Sequence, residues 1–195
     1  MSQRSSKRSL REPNWSDWSQ RRYGGVPTDA QAWLRDTGSL TKRVIQHCGN
    51  GKFRVRLLQQ GWDIPLNSER QALHIRQGRM ALIRDVVLLC EDAPWVFART
   101  WIPVTTLKGS ARRLMQLGER PLGAVLFSDP KVSRGSTLIA RLTPGHTLFD
   151  AASEQLQQIP EQLWGRRTLF YVDSRPILVN ELFLPDLPMR KCGNQ

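Results

Sequence analysis

Apolar and polar side chains alternate most clearly from Lys52 to Gln60, where Phe53, Val55 and Leu57 oppose Arg54 and Arg56. A period of two predicts a half-buried strand. Thr41–Cys48 reads as a strand before it, and Gly49-Asn50-Gly51 between them is a hairpin signal. Met80–Cys90 and Trp95–Val104, joined by Glu91-Asp92-Ala93-Pro94, predict a second hairpin. Thr168–Val172 and Ile177–Leu184, joined by Asp173-Ser174-Arg175-Pro176, predict a third. Thr137–Leu142 is a further candidate strand, and Gln71–Arg76 has no clear period.

Helical patches separate these segments. Thr28 starts a short helix, its hydroxyl acting as cap with Gln31 three residues on, and Gly38 as the stop. Ser110–Leu117 and Pro121–Phe127 predict two more helices, and Phe149–Gln158 a fourth. Hairpins interrupted by helices predict an α+β fold with an antiparallel sheet. The 195 residues suit a single domain. Residues 1–26, rich in Ser, Arg and Gln, read as a basic, flexible N-terminal tail, which Trp15 and Trp18 could dock. Residues 27–188 form the domain and 189–195 a C-terminal tail.

Two charges fall on faces that should be apolar. One face of the second hairpin's first strand reads Met80, Leu82, Arg84, Val86, Leu88, Cys90. One face of the last strand reads Ile177, Val179, Glu181, Phe183. Strict alternation sends Arg84 and Glu181 the same way as their aliphatic neighbours. A buried ion costs several kcal/mol unless it is paired. The two charges therefore pair with each other or with neighbours, hold a ligand, or face solvent, and the pattern leaves all three open. Arg99, beside Trp95, Phe97 and Trp101, reads as a stacked or snorkelling arginine.

Composition narrows the function classes. Hydrophobic residues make up 39% and charged residues 24%, as in globular proteins. No apolar run approaches the roughly 20 residues of a membrane helix. The polar, basic N-terminus lacks the apolar centre of a secretory signal, so a cytoplasmic location is expected. Cys48, Cys90 and Cys192 have no pairing pattern, which suits a reducing compartment. His47, His74 and His146 are scattered, so no metal site is expected. The net charge of +12 calls for an anionic partner: nucleic acid, a membrane surface or a carboxylate.

Five blocks in order carry a family resemblance: GSLTKR at 38–43, IRDVVLLCEDAPWVFARTWIPVTTL at 83–107, LGERPLG at 117–123, LWGRR at 163–167 and NELFLP at 180–185. They resemble the chorismate–pyruvate lyase family. The resemblance implies an antiparallel sheet of about six strands with helices packed around it and helical flaps over an enclosed ligand. It implies conversion of chorismate to 4-hydroxybenzoate and pyruvate, the first committed step toward ubiquinone, without a cofactor. Arg84 matches the residue that grips the ring carboxylate, and Glu181 the one near the 4-hydroxyl. Leu40, where the family often has Met, and Leu122 match positions that bind through backbone N–H. Arg84 and Glu181 are thus the catalytic candidates. Arg99, Lys42, Arg166 and Arg167 are candidates for holding the second, enolpyruvyl carboxylate. A monomer is expected.

Rival readings are an aromatic-carboxylate-sensing domain of the same fold, as in some transcription regulators, and nucleic-acid binding by the basic tail. The second lacks any RNA- or DNA-binding motif. The tail, and the stretch between Phe127 and Leu163, are longer than the resemblance leads one to expect.

Overall fold

The computed structural model describes residues 11–20, 25–49 and 51–188. Six strands, β1 (Phe53–Asp63), β2 (Ala81–Cys90), β3 (Ala93–Pro103), β4 (Val132–Leu142), β5 (Leu163–Val172) and β6 (Arg175–Phe183), form one sheet. Its order is β1-β2-β3-β6-β5-β4, and every neighbouring pair is antiparallel. The second and third predicted hairpins are present as β2–β3 and β5–β6. Asp173 and Ser174, at φ 48° and 62°, make the tight β5–β6 turn, the left-handed pair that matches strand twist.

The first predicted hairpin is absent. Residues Leu40–Cys48 form helix α2, not a strand, and β1 pairs with β2 instead. Ser39 caps the helix by accepting from the Lys42 N–H at 3.4 Å. The buried Leu40, Val44 and Cys48 recur every fourth residue, a helical spacing. Helix α1 (Thr28–Leu34) is present, but its N-cap is Pro27 without a side-chain cap bond, and Arg35, not Gly38, closes it. The predicted Ser110–Leu117 helix is a 3-10 segment, Gly109–Gln116. Helices α3 (Asn67–Ala72), α4 (Leu122–Leu126) and α5 (Thr147–Ser153) complete the set. The last is shorter than predicted.

Helices cover both faces of the sheet, which explains why β2 is apolar on both sides. On one face, Trp33, Leu34 and Val44 pack with Val86 and Leu88. Beside them Leu114, Leu122 and Leu126 pack with Leu82, Ile102 and Val179. On the other face, Leu148 and Phe149 of α5 pack on Val87, Phe97 and Leu182. Fully burying each such side chain is worth roughly 1.5–3 kcal/mol.

Two expectations about the chain ends and cysteines are corrected. Segment 11–19 is not free of the body: Ser16 pairs with Ile139 through reciprocal backbone bonds of 3.1 and 2.9 Å. Trp15 packs into the far-face core and lies 4.4 Å from the Arg167 guanidinium. Residues 1–10 and 189–195 lie outside the described residues. Cys48 and Cys90, expected unpaired, form a disulfide with Cα atoms 5.5 Å apart. The end of α2 lies against the end of β2, a proximity that a separation of 42 residues conceals.

Candidate active site

A cavity lies on the first face, between its two apolar clusters. Its floor is a patch of three strands. Registers place Arg84 opposite Thr100, Thr100 opposite Val179, Ala98 opposite Glu181, and Glu181 opposite Arg166. Directly paired residues share a face, so all these side chains point into one space. Arg84, Ala98, Thr100, Arg166, Val179 and Glu181 line it, with Val86, Leu88 and Phe170 as apolar wall.

The roof is made by two lids. Leu40 and Thr41, opening α2, and Leu122 and Gly123, opening α4, also line the cavity. N–H groups in a helix's first turn have no partner inside the helix. The two lids touch: a Cβ on Gly123 would stand 2.8 Å from the Thr41 hydroxyl. Gly123→Ala is therefore expected to spread the lids and raise KM several-fold, and adding Thr41→Ala should restore it. Steady-state kinetics on the single and double variants checks this.

Arg84 is 1% exposed. It donates Nη2 to the carbonyls of Gly118 and Arg120, at 2.9 and 3.0 Å, in the loop leading to α4. Its Nε is buried with no partner among the described residues. Among the described residues it has no acidic partner, and desolvation pulls its pKa down to about 10. An arginine kept in this state offers its remaining N–H groups to an anion.

Glu181 does not pair with Arg84. Its Oε2 accepts from Nε of Arg166, a residue only 2% exposed. Arg166 also donates Nη1 to the carbonyls of Trp33 and Asp36, in the chain leading to α2. Each lid is thus held at its hinge by one cavity arginine. Arg134 reinforces the second hinge by donating to the carbonyls of Thr37 and Asp36. Its pKa is lowered by burial and by the nearby Arg166, against the pull of Glu181. Arg134, Thr41 and Thr100 went unnoticed in the sequence, since single polar residues in mixed segments carry no pattern.

Of the other candidate cations, Lys42 is exposed. Arg99 and Arg167 point to the opposite face. The expectation of a stacked or snorkelling Arg99 is met in its first form, the guanidinium standing 5.9 Å from the Phe97 ring centroid, but the side chain does not snorkel. It is 3% exposed and grips Asp85 with two bonds, Nε to Oδ1 at 2.8 Å and Nη2 to Oδ2 at 2.6 Å. Burial, the largest single influence, pulls Arg99 down, but the Asp85 pair together with the nearby Glu69 and Asp63 carboxylates outweighs it and the net shift is upward. Arg167 bonds Asn180 at 2.7 Å and lies 3.7 Å from the buried Glu69. Desolvation raises Glu69 and lowers Arg167 to about 10, so burial outweighs their attraction. Asp85 was detectable: it interrupts the far-face run Ile83, Val87, Leu89 as Arg84 interrupts the near one.

Among the described residues there is no group of three or more His, Cys, Asp or Glu side chains placed to hold a metal. Among the same residues no helix is long and apolar enough to cross a membrane.

Fold and site together define a single-sheet α+β protein with a cavity, lined by two arginines and a glutamate, between one sheet face and two helical lids. The chain belongs to the chorismate lyase family, whose description it matches over residues 13–191. It is 38% identical over 160 residues to a probable chorismate pyruvate-lyase of Nitrosomonas europaea, covering 82% of this chain and 89% of that one. A probable chorismate pyruvate-lyase of Methylococcus capsulatus is 39% identical over 155 residues, covering 80% and 94%. Among solved structures, PhnF from Mycobacterium smegmatis aligns with a TM-score of 0.58 at 16% identity, covering 78% of this chain and 66% of that one. The C-terminal domain of the histidine utilization repressor from Pseudomonas syringae aligns at 0.55 and 11%, covering 73% and 97%. These two likenesses concern the fold.

Proposed function

We propose that this protein splits chorismate into 4-hydroxybenzoate and pyruvate. The observation that carries the reading is the meeting, in one cavity, of a carboxylate and, from a separate strand, a buried guanidinium that has no acidic partner among the described residues. Arg84 holds the ring carboxylate on its spare N–H groups. The N–H groups of Leu40 and Leu122 add donors from the lids. Glu181, one oxygen engaged by Arg166, meets the C4 edge of the ring with the other.

In the reaction the C3–O bond breaks and its electrons leave on the enolpyruvyl oxygen. C4 loses a proton, and the former C–H electrons complete the aromatic ring. The enolate takes a proton on its methylene carbon and becomes pyruvate. Aromatisation supplies the driving force, so positioning, exclusion of water and charge stabilisation suffice. A cytoplasmic setting, independence of cofactors and supply of 4-hydroxybenzoate to ubiquinone synthesis belong to the same reading. In a reducing cytoplasm, Cys48 and Cys90 would stand as thiols.

Purified protein given chorismate is expected to release pyruvate and 4-hydroxybenzoate in equal amounts, read by coupling pyruvate to NADH oxidation. Binding of 4-hydroxybenzoate without any pyruvate release would overturn the reading. It would move the chain to the sensing role suggested by the regulator domains that share its fold. Glu181→Gln is expected to lower kcat by about 100-fold or more, the usual worth of a positioned proton-transfer group. Near-normal turnover would assign the proton transfer to the substrate alone.

A further inference from the structure

We propose that Arg166 is the second carboxylate anchor of the cavity, receiving the enolpyruvyl carboxylate on Nη2 while Nε holds Glu181. The proposal rests on the lyase reading and goes beyond it by assigning the half of the substrate that the product lacks.

Chorismate carries two carboxylates, one at C1 and one on the enolpyruvyl ether at C3. The cavity is lined by two guanidiniums, Arg84 and Arg166, and one carboxylate, Glu181. They lie on β2, β5 and β6 respectively, and neighbouring strands stand about 4.8 Å apart. Crossing the sheet from β2, one meets Arg84, then Glu181 two strands on, then Arg166 on the next strand. C1 and C4 are opposite corners of the ring, and C3 adjoins C4. A ring held by Arg84 at C1 and by Glu181 at the C4 hydroxyl therefore brings its C3 ether beside Glu181. Arg166 touches Glu181 there.

The hydrogen bonds of Arg166 leave room for this role. Nε goes to Glu181 and Nη1 to the carbonyls of Trp33 and Asp36. Nη2 has no bond among the described residues. The rival cations are elsewhere: Arg99 and Arg167 face away, Lys42 is exposed, and Arg134 is committed to backbone carbonyls and to the Thr137 and Thr168 hydroxyls. A donor already fixed beside the leaving oxygen also stabilises the negative charge that grows there as the C3–O bond breaks.

The test compares ligands that differ by one carboxylate. 3-(1-Carboxyvinyloxy)benzoate keeps both carboxylates, whereas 3-ethoxybenzoate keeps only the ring one. Calorimetric titration of the full chain is expected to favour the diacid by about 30-fold or more, the lower end for a buried charge pair. Arg166→Met should remove most of that preference: 4-hydroxybenzoate binding weakens too, because Glu181 and the α2 hinge lose their partner, but diacid binding falls by a further factor of about ten or more. Should Arg166→Met not fold, Arg166→Lys, which offers a point charge, is expected to reduce the preference in part. A wild-type protein without a diacid preference overturns the proposal. So do variants that weaken all three ligands equally, which would make Arg166 a strut for the α1–α2 hinge. None of these readouts needs turnover, so failure of the lyase reading, seen as absent pyruvate, is distinguishable.

Discussion

Arg84→Met is expected to weaken binding of 4-hydroxybenzoate by roughly two to three orders of magnitude while leaving the ligand-free protein at least as stable as the wild type. The first half follows from removing one partner of a buried, charge-assisted contact, which costs about 2–5 kcal/mol, at 1.4 kcal/mol per tenfold. The second half follows from linkage. Burial lowers the folded-state pKa of Arg84 to about 10, well below an arginine's ordinary value. The unfolded chain therefore binds the proton more tightly than the fold does. Below about pH 10 both states are protonated and the full penalty is present. It is relieved only as pH rises through about 10 toward the ordinary arginine value. At neutral pH its size is on the order of 3 kcal/mol, from 1.36 kcal/mol per pKa unit. Methionine removes that penalty but also the bonds to the Gly118 and Arg120 carbonyls, and the two changes offset. Thermal unfolding by circular dichroism and titration with 4-hydroxybenzoate measure both halves. A variant that melts far below the wild type, or binds as well, would refute the assignment of Arg84 as an anion site kept at the expense of stability.

The largest effect on stability is expected on the opposite face. Asp85→Ala removes the carboxylate that Arg99, 3% exposed, grips with two bonds, and leaves it the weaker pull of Glu69 and Asp63. Breaking a buried ion pair on one side costs about 3–5 kcal/mol, a large part of the 5–15 kcal/mol that holds a typical domain folded. At about 2–4 °C per kcal/mol for a chain of this size, the melting temperature should fall on the order of 10 °C. Replacing both partners, Asp85→Leu with Arg99→Met, should recover most of the loss, because the desolvation cost disappears with the charges. Equal melting of the single and double variants would mean that the pair matters through its shape alone. Glu181→Gln is milder by the same reasoning, since the Glu181 side chain is 14% exposed and water can compensate its partner.

Alternation made the central pair of the site legible. Arg84 and Glu181 interrupt aliphatic rows, and a strand's side-chain period is rigid, so each stood out within its own strand, while the sheet register decided that both face one cavity. The hairpins Ala81–Pro103 and Leu163–Phe183 were legible too, because their turns combine polar residues with flanking β-branched and aromatic runs. Thr41–Cys48 was misread because a short segment with three apolar residues fits either period. The helix was decided by the Ser39 cap and by burial every fourth residue. The docking of 11–19 was hidden because its partners, Ile139, His146 and Ser68, are distant in the chain.

By itself, then, the order of residues determined two of the hairpins, the apolar rows that Arg84 and Glu181 interrupt, and the family that the chain resembles. Periodicity and local motifs are properties of neighbours in sequence. Tertiary structure alone decided who partners whom: Arg166 with Glu181, Arg99 with Asp85, Cys48 with Cys90, and each lid hinge with its arginine. An ion pair, a disulfide and an arginine–carbonyl bond each depend on a few ångströms of separation between remote segments. Only strand order and helix packing set those distances. Were Arg84 and Glu181 found in solution to bind no shared ligand, the functional reading would fall while the fold stood.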